Sequence, residues 1–459
     1  MVAGAALSAA GASGAGPPGA ASAAAQVAGT SPGAAPPGSR LWIGHYNGPP
    51  GTENDATAMA VSPDGKRVFV TGNSALAGRE PHEFATVGYK TATGARLWAR
   101  RYHGTGSMAE ARSVAISPDG KMVFVTGATN MQSTDADFAT IAYQAATGAV
   151  RWIARYDGPG RYSDDSAYSV AVSPHGSTVF VTGTSGGGYA TIAYQAGTGA
   201  RRWIARYHGS GGHAVAVAVS PGGGRVVVTG TNGHDYGTVA YRAATGARLW
   251  ARHHDGPAGL DEYGGATALV FSPDGSTVFV TGDVHTTGTP SGPRYATIAY
   301  RASDGTQRWA VSDGPLARTG GAAAVAVSPD GRTVLVTGHD TVAYRTATGT
   351  QLWASPSLGG GYATALALSP DGRKVFVTGF VTEPGTGNNI RAVFTAAAFS
   401  AATGTRLWVN RYRGPRNLGG TGAVVAVSPD GRRVYVAGYT AWLIPHRQAN
   451  RTTIIAYRA

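Results

Sequence analysis

Residues 113–156 read as four short apolar runs separated by turn signals. Ser113-Val-Ala-Ile-Ser117 is a first strand, and Pro118-Asp119-Gly120 turns the chain. The Pro sets φ at the first turn position, the Asp caps the turn, and the Gly supplies the left-handed conformation needed to leave it. Met122–Thr126 is a second strand, and a variable loop leads to a third, Phe138–Tyr143. Thr147-Gly148 then turns the chain into a fourth, Val150–Tyr156. Four antiparallel strands in about 50 residues is the size of one propeller blade.

The unit repeats. A Ser-Pro tetrad opens at Ser62, Ser117, Ser173, Ser220, Ser272, Ser328, Ser369 and Ser428. Tryptophans keep step with it at Trp42, Trp98, Trp152, Trp203, Trp250, Trp309, Trp353 and Trp408. A third-strand aromatic follows the same rhythm at Tyr89, Tyr143, Tyr194, Tyr241, Tyr300, Tyr344, Phe399 and Tyr457. Three independent markers give eight units, and a fixed period of this length marks a repeat architecture. The chain enters on a fourth-strand motif, Leu41–Tyr46, and its final segment, Thr452–Arg458, is a third strand. Joining the two completes one blade and leaves no open edge. The expected fold is therefore all-β: an eight-bladed β-propeller of four antiparallel strands per blade, closed by the N-terminal strand joining the C-terminal blade.

Composition refines this picture at three points. The 69 Gly and 25 Pro among 459 residues supply the many tight turns. The absence of cysteine excludes disulfides, thiolate metal sites and a cysteine nucleophile. The formal charge of +13 comes largely from Arg and Lys at recurrent turn positions, such as Lys66 and Arg67 or Arg432 and Arg433. With no RNA-binding aromatic motif or recognition helix beside them, these form a basic rim and predict no specific nucleic-acid partner. Residues 1–40 are almost wholly Ala, Gly, Ser and Pro, too poor in apolar bulk to order themselves. They are expected to form a disordered leader or linker, with Ala21-Ser22-Ala23 resembling a signal-peptide cleavage site, and residues 41–459 form the propeller. No apolar run approaches membrane-spanning length. An extracellular or cell-envelope location and a monomeric state follow as expectations.

The segment Ala240-Tyr-Arg-Ala-Ala-Thr245-Gly246-Ala-Arg-Leu-Trp250 resembles the tryptophan-docking motif of quinoprotein-type propellers. The full unit, with its Trp, then Arg-Tyr-x-Gly-Pro, then Val-Phe-Val-Thr-Gly, is similar to the bacterial SBBP-type β-propeller repeat. The resemblance implies that the eight marker tryptophans pack against neighbouring blades. Such families include dehydrogenases using pyrroloquinoline quinone (PQQ), outer-membrane assembly scaffolds and secreted proteins, so the fold alone does not decide the activity.

Chain direction alternates within a blade, so the Ser-Pro-Asp-Gly and Thr-Gly turns share one face. The other face carries loops of variable length and is where a ligand is expected. Acidic residues gather there just before the innermost strands: Glu53, Asp55, Glu110, Asp164, Asp165, Asp261 and Glu262. Carboxylates suit Ca²⁺, with Glu110, Asp165 and Asp261 as the ligand set to test, or a cationic substrate. Their alternative role is to cap a turn or meet an arginine. His213 stands at the same entry position in the fourth unit, and His234, His253, His254, His285 and His339 lie in or beside the same loops. Trp442 is the ninth tryptophan, outside the repeat, in a long loop from Gly438 to Arg451 with His446 nearby; it either stacks on a ligand or caps the core. Arg79, Arg161, Arg294, Arg318, Arg391 and Arg416 belong to the same loop set and offer anion contacts. No Gly-x-Ser-x-Gly elbow or His-Glu-x-x-His motif is present. The preferred reading is a non-catalytic extracellular binding or assembly scaffold that uses the variable face for a protein or polysaccharide partner. The alternative is a propeller enzyme, either a hydrolase or lyase with an acidic axial site or a PQQ-dependent dehydrogenase. No cofactor is firmly implied.

Overall fold

Blade III shows how one unit is built. Its strands are Ser166–Val172, Thr178–Ser185, Gly188–Gln195 and Arg201–Tyr207, hydrogen-bonded in that order and all antiparallel. The computed structural model describes residues 35–49, 52–76, 82–104, 108–129, 136–159, 164–207, 211–233, 235–254, 263–286, 292–313, 321–384, 390–444 and 447–459. Among them the same four-stranded sheet occurs eight times, so the eight-bladed β-propeller expected from the markers is the fold. The innermost strands are Thr52–Val61, Ala109–Ile116, Ser166–Val172, His213–Val219, Tyr263–Phe271, Ala324–Val327, Tyr362–Leu368 and Gly420–Val427. Each contacts the next, and the first contacts the last, which closes the ring.

The core lies between blades, because each sheet buries both faces against its neighbours. One apolar cluster joins Phe124 and Phe138 of blade II to Val179, Val181 and Ile192 of blade III. Another joins Val68 and Val70 of blade I to Val424 and Ile454 of blade VIII, across the closure. The marker tryptophans sit at these seams. Trp152 Nε1 donates to the Ala196 carbonyl of the next blade at 2.8 Å, and Trp42, Trp98, Trp203, Trp250, Trp309 and Trp353 repeat that contact.

Blade VIII is assembled from both ends of the chain. Its outer strand, Arg40–Tyr46, pairs with Arg447–Arg458, with Ile43 opposite Ile455. The Gly38 N–H donates to the Arg458 carbonyl at 2.8 Å, and the Arg458 N–H donates to the Ser39 carbonyl at the same distance. Gly94 and Lys90 make the equivalent bond within blade I. Residues 1–34 of the expected leader lie outside the described residues.

The two short turns of each blade meet on one face: Thr91 Oγ1 of the Thr-Gly turn donates to the Gly65 carbonyl of the Ser-Pro turn at 2.7 Å. Around the axis on this face, the turn glycine of one blade faces the turn proline of the preceding blade, as Gly120 faces Pro63 and Gly65 faces Pro429. That leaves the opposite face for the longer connections. Among the described residues, no helix is long and apolar enough to cross a membrane.

Candidate functional site

The mouth on the variable face is shaped by a bulge in the innermost strands. In blade III the register slips between Ala167 and Ser169, and the extra residue is Tyr168. The equivalent residues are Thr57, Arg112, Val215, Thr267, Thr364 and Ala423. A bulge re-aims the residues around it. The next strand admits it because Val-Thr-Gly places a glycine there: a Cβ on Gly183 would stand 1.9 Å from the Ser166 carbonyl oxygen.

Two residues before each bulge is one tier of the mouth, and three sequence candidates share it. Asp55 pairs with Asn73 in blade I, Glu110 with Ala128 in blade II and His213 with Thr231 in blade IV. Ser166 holds that place in blade III, so Asp164 and Asp165 fall earlier in the chain, as does Glu53 in blade I. Glu53, Asp55 and Glu110 thus lie within the innermost strands, because pairing runs further towards the mouth than the loop boundary read from sequence. Asp261 and Glu262 lie outside the described residues, as do His234, Arg79, Arg161 and Arg318.

The described candidates hold different partners. Glu110 accepts from Arg112 at 3.2 Å, and the Arg112 guanidinium stacks 4.2 Å above the Tyr168 ring of the next blade. Asp165 is fully buried, and its Oδ2 accepts the Gly158 N–H at 2.6 Å, fastening the loop that enters blade III. Asp164 Oδ1 accepts from the Ser166 hydroxyl at 3.1 Å. His213 Nδ1 lies 3.0 Å from Thr184 Oγ1 of the preceding blade. Asp55 differs: burial, and then the neighbouring Glu53 charge, push its carboxyl up to about 6, against an opposing hydrogen bond from Asn450. Among the described residues, no three His, Cys, Asp or Glu side chains gather as a metal-ligand set.

Trp442 requires a correction. The segment from Gly438 to Arg451 is not a long loop but the upper half of a hairpin, Arg433–Ile444 with Arg447–Arg458, in which Trp442 pairs with Ala449. Residues 441–444 are an unbroken apolar run, Ala-Trp-Leu-Ile, followed by Pro445, so the strand carries no period-two signal in the sequence. His446 lies outside the described residues.

Further contacts of this face join His253 and Arg391, both named above, to residues that the sequence did not single out. Where outer strands end in Arg-Tyr the pair links blades: Arg155 Nε donates to Tyr102 Oη at 2.9 Å, and Arg206 Nη2 donates to Tyr156 Oη at 2.6 Å. His253 takes this arginine's place, with Nε2 2.5 Å from Tyr207 Oη and Nδ1 2.9 Å from Asn232 Nδ2. The Asn-His-Tyr chain therefore repeats a seam contact. Glu83, buried in the third strand of blade I, is paired with Arg101 and, at 2.6 Å, with His103 Nδ1. His45 is driven down to about 4 by burial and by Arg451, whose Nη2 lies 3.0 Å from its Nε2, so it is neutral at pH 7. Glu383 of blade VII is bound by three arginines: Arg413 bidentately at 2.8 and 2.9 Å, Arg391 at 3.5 Å and Arg411 at 3.7 Å. The Arg413 hydrogen bond holds the Glu383 carboxyl below the usual range. Of this cluster the sequence offered only Arg391, as a loop arginine suited to an anion; Glu383, Arg411 and Arg413 come from other strand ends that only the blade brings to it.

A family model described as outer membrane protein assembly factor BamB matches residues 33–256, 137–309 and 294–441 in three overlapping registers. No curated protein matches the sequence. The fold is shared with BamB from Moraxella catarrhalis at 14% identity and a TM-score of 0.51, covering 92% of this chain and 97% of that one. It is also shared with Sqt1 from Chaetomium thermophilum bound to the N-terminus of ribosomal protein L10, at 11% identity and a TM-score of 0.60, covering 92% and 100%. The C-terminal WD40 domain of Sif2 matches at 12% identity and a TM-score of 0.59, covering 93% and 100%. At these identities the likeness is one of fold.

Proposed function

Because the chain belongs to the family described as outer membrane protein assembly factor BamB, we propose that it is a non-catalytic binding or assembly scaffold of the cell envelope or exterior, taking a protein partner on its variable face. The observation that carries this reading is the use of the acidic mouth. Glu110 is spent on Arg112 and Asp165 on the Gly158 amide, and outside the mouth, on the third strand of blade I, Glu83 is spent on Arg101 and His103. Carboxylates engaged in this way brace loops for recognition and leave little free basicity for chemistry. The Sqt1 structure, a propeller bound to the N-terminus of a ribosomal protein, supplies an example of the fold serving as a receptor.

The lack of native cysteine makes the test direct. A photocrosslinker attached at His103→Cys on the variable face is expected to capture a partner. The same probe at Lys121→Cys, on the Ser-Pro turn face, is expected to capture none. Equal capture from both faces, or capture from the turn face alone, overturns the proposal. A polysaccharide partner would appear as retention on envelope polymer without protein crosslinks.

A second reading rests on Asp55. A buried carboxyl at about 6 suits a general acid, so a hydrolase or lyase centred on the mouth is the competing proposal. Ca²⁺ at Glu110, Asp165 and Asp261 belongs to it. Thermal unfolding with chelator, then Ca²⁺, then PQQ separates the two readings, because a ligand of the native state must raise the transition. A clear rise favours the enzyme reading; an unmoved midpoint favours the scaffold.

A further inference from the structure

We propose that the arginine cluster at the variable-face end of blade VII docks an acidic segment of a protein partner. The inference rests on the scaffold reading and assigns that face a site and a ligand chemistry. Glu383, on the strand Lys374–Pro384, stands opposite Arg391 on the strand Ile390–Ser400. Arg411 belongs to the outer strand Arg406–Tyr412, and Arg413 follows it. Three guanidiniums thus surround one carboxylate. Each brings five donors, whereas a carboxylate offers about four acceptor positions. Arg413 already takes Glu383 bidentately. Arg411 approaches it only to 3.7 Å, beyond hydrogen-bond reach, and Arg391 Nε is buried with no acceptor among the described residues. The cluster is left with a positive surplus, and Arg411, exposed and outside hydrogen-bond reach of Glu383, is its donor group open to a partner. Guanidinium forks of this kind match carboxylates, and Glu383 itself marks the group they accept.

The adjoining turn adds a fourth cation. Arg416 and Asn417 are the two non-glycine residues with positive φ among the described residues, at 54° and 61°. The Asn417 carbonyl accepts from Arg391 Nη1 at 2.8 Å, which ties the turn to the cluster and leaves the Arg416 side chain exposed. Beside these charges lies apolar surface. Ile390, next to Arg391, is 77% exposed, and Val409 is exposed two residues before Arg411 on the same strand. A polyphosphate would use the charges but not the apolar residues. A peptide carrying both carboxylates and aliphatic side chains would use both, and the overall charge of +13 would draw it in.

The test is fluorescence anisotropy of the full chain with a labelled peptide of alternating glutamate and leucine. A lysine-leucine peptide and inorganic polyphosphate serve as comparison probes. The glutamate peptide is expected to bind more tightly than either and to weaken as salt rises. The double variant Arg411→Gln/Arg416→Gln is expected to lose at least about tenfold in affinity, about 1.4 kcal/mol, with an unchanged unfolding midpoint. Lys121→Gln on the other face should bind as the parent does. If the double variant shifts the midpoint, Arg411→Gln alone is used, with a threefold loss expected. Equal binding by parent and variant overturns the site, as does tighter binding of polyphosphate. Absence of peptide binding while His103→Cys still crosslinks a partner overturns this site and leaves the scaffold reading standing; absence of both removes the scaffold reading too.

Discussion

Two residue types set the blade geometry, and each does so through one contact. The indole of Trp152 lies against Gly199 of the next blade, where a Cβ would come within 2.7 Å of the ring, and its Nε1 reaches Ala196 at 2.8 Å. Trp152→Phe keeps a ring at the seam but leaves the carbonyl without its donor, and is expected to cost about 1–3 kcal/mol. Trp152→Ala also opens a cavity and is expected to cost about 3–5 kcal/mol; urea unfolding of both variants measures the difference. The glycine of Val-Thr-Gly is as constrained. Gly183→Ala must push the Ser166 carbonyl away and undo the bulge that forms the mouth, at an expected cost of about 1–3 kcal/mol. Gly222, where an added methyl would meet no atom within 4 Å, is the control, and Gly222→Ala should stay within about 0.5 kcal/mol. Similar losses at 183 and 222 would mean that the bulge is dispensable. The tryptophan could be read from its spacing because it recurs in every unit. The bulge could not, since the slip is created by two strands meeting and leaves only a glycine in the sequence.

At the scale of the element, the Ser-Pro-Asp-Gly turn acts through its aspartate. In blade V, Asp274 Oδ1 accepts from the Ser272 hydroxyl at 2.5 Å and from the Ser276 N–H at 3.0 Å. The serine hydrogen bond, then the backbone one, lower the pKa of Asp274, and Asp330 and Asp371 are lowered by the same two bonds. A carboxyl depressed on folding stabilises above its unfolded pKa, about 3.9, and loses that contribution as pH falls through the folded value. Blades III and IV carry His175 and Gly222 in the aspartate's place. Gly222→Asp is therefore expected to stabilise blade IV by about 0.5–1 kcal/mol at pH 7, partly through the unfolded chain. The gain should shrink at pH 3, where the carboxyl approaches protonation; a gain equal at both pH values would show that the carboxylate contributes nothing. These turns were legible because their chemistry is local, four residues solving one problem. The Trp442 hairpin was not, since residues 441–444 are an unbroken apolar run with no strand alternation, and only pairing with residues 447–450 makes them a strand. The Glu383 cluster showed only in Arg391, because its other members are brought together by pairing alone.

At the scale of the whole molecule, the ring depends on a blade shared between the two chain ends. Trp408 shows what the chain break changes. Seven marker tryptophans donate to a carbonyl of the next blade, whereas Trp408 Nε1 is buried with no acceptor among the described residues. By the repeat, its acceptor would be the carbonyl of Ala459, and Gly38 already stands against the Trp408 ring as Gly199 stands against Trp152. Two residues separate Thr91 from Gly94 in blade I, so an Ala-Thr bridge between Ala459 and Gly38 rebuilds a complete turn. Two circular permutants with this bridge isolate the role of strand sharing. One is opened in the turn between Gln195 and Arg201, so blade III becomes the shared blade. The other is opened between Tyr207 and Gly211, so every blade is continuous and none is shared. Both keep the same blades, but the first opens the turn that holds Ala196 and Gly199, the seat of Trp152. The first is expected to unfold in urea with one transition near the parent's midpoint, because a latch is retained and the seat that Trp408 gains offsets the one that Trp152 loses. The second is held at its opening only by packing between blades III and IV, and is expected to unfold earlier and less cooperatively. Equal midpoints would mean that seam packing alone closes the ring, and that the offset between the chain's first and last strands contributes nothing to its stability.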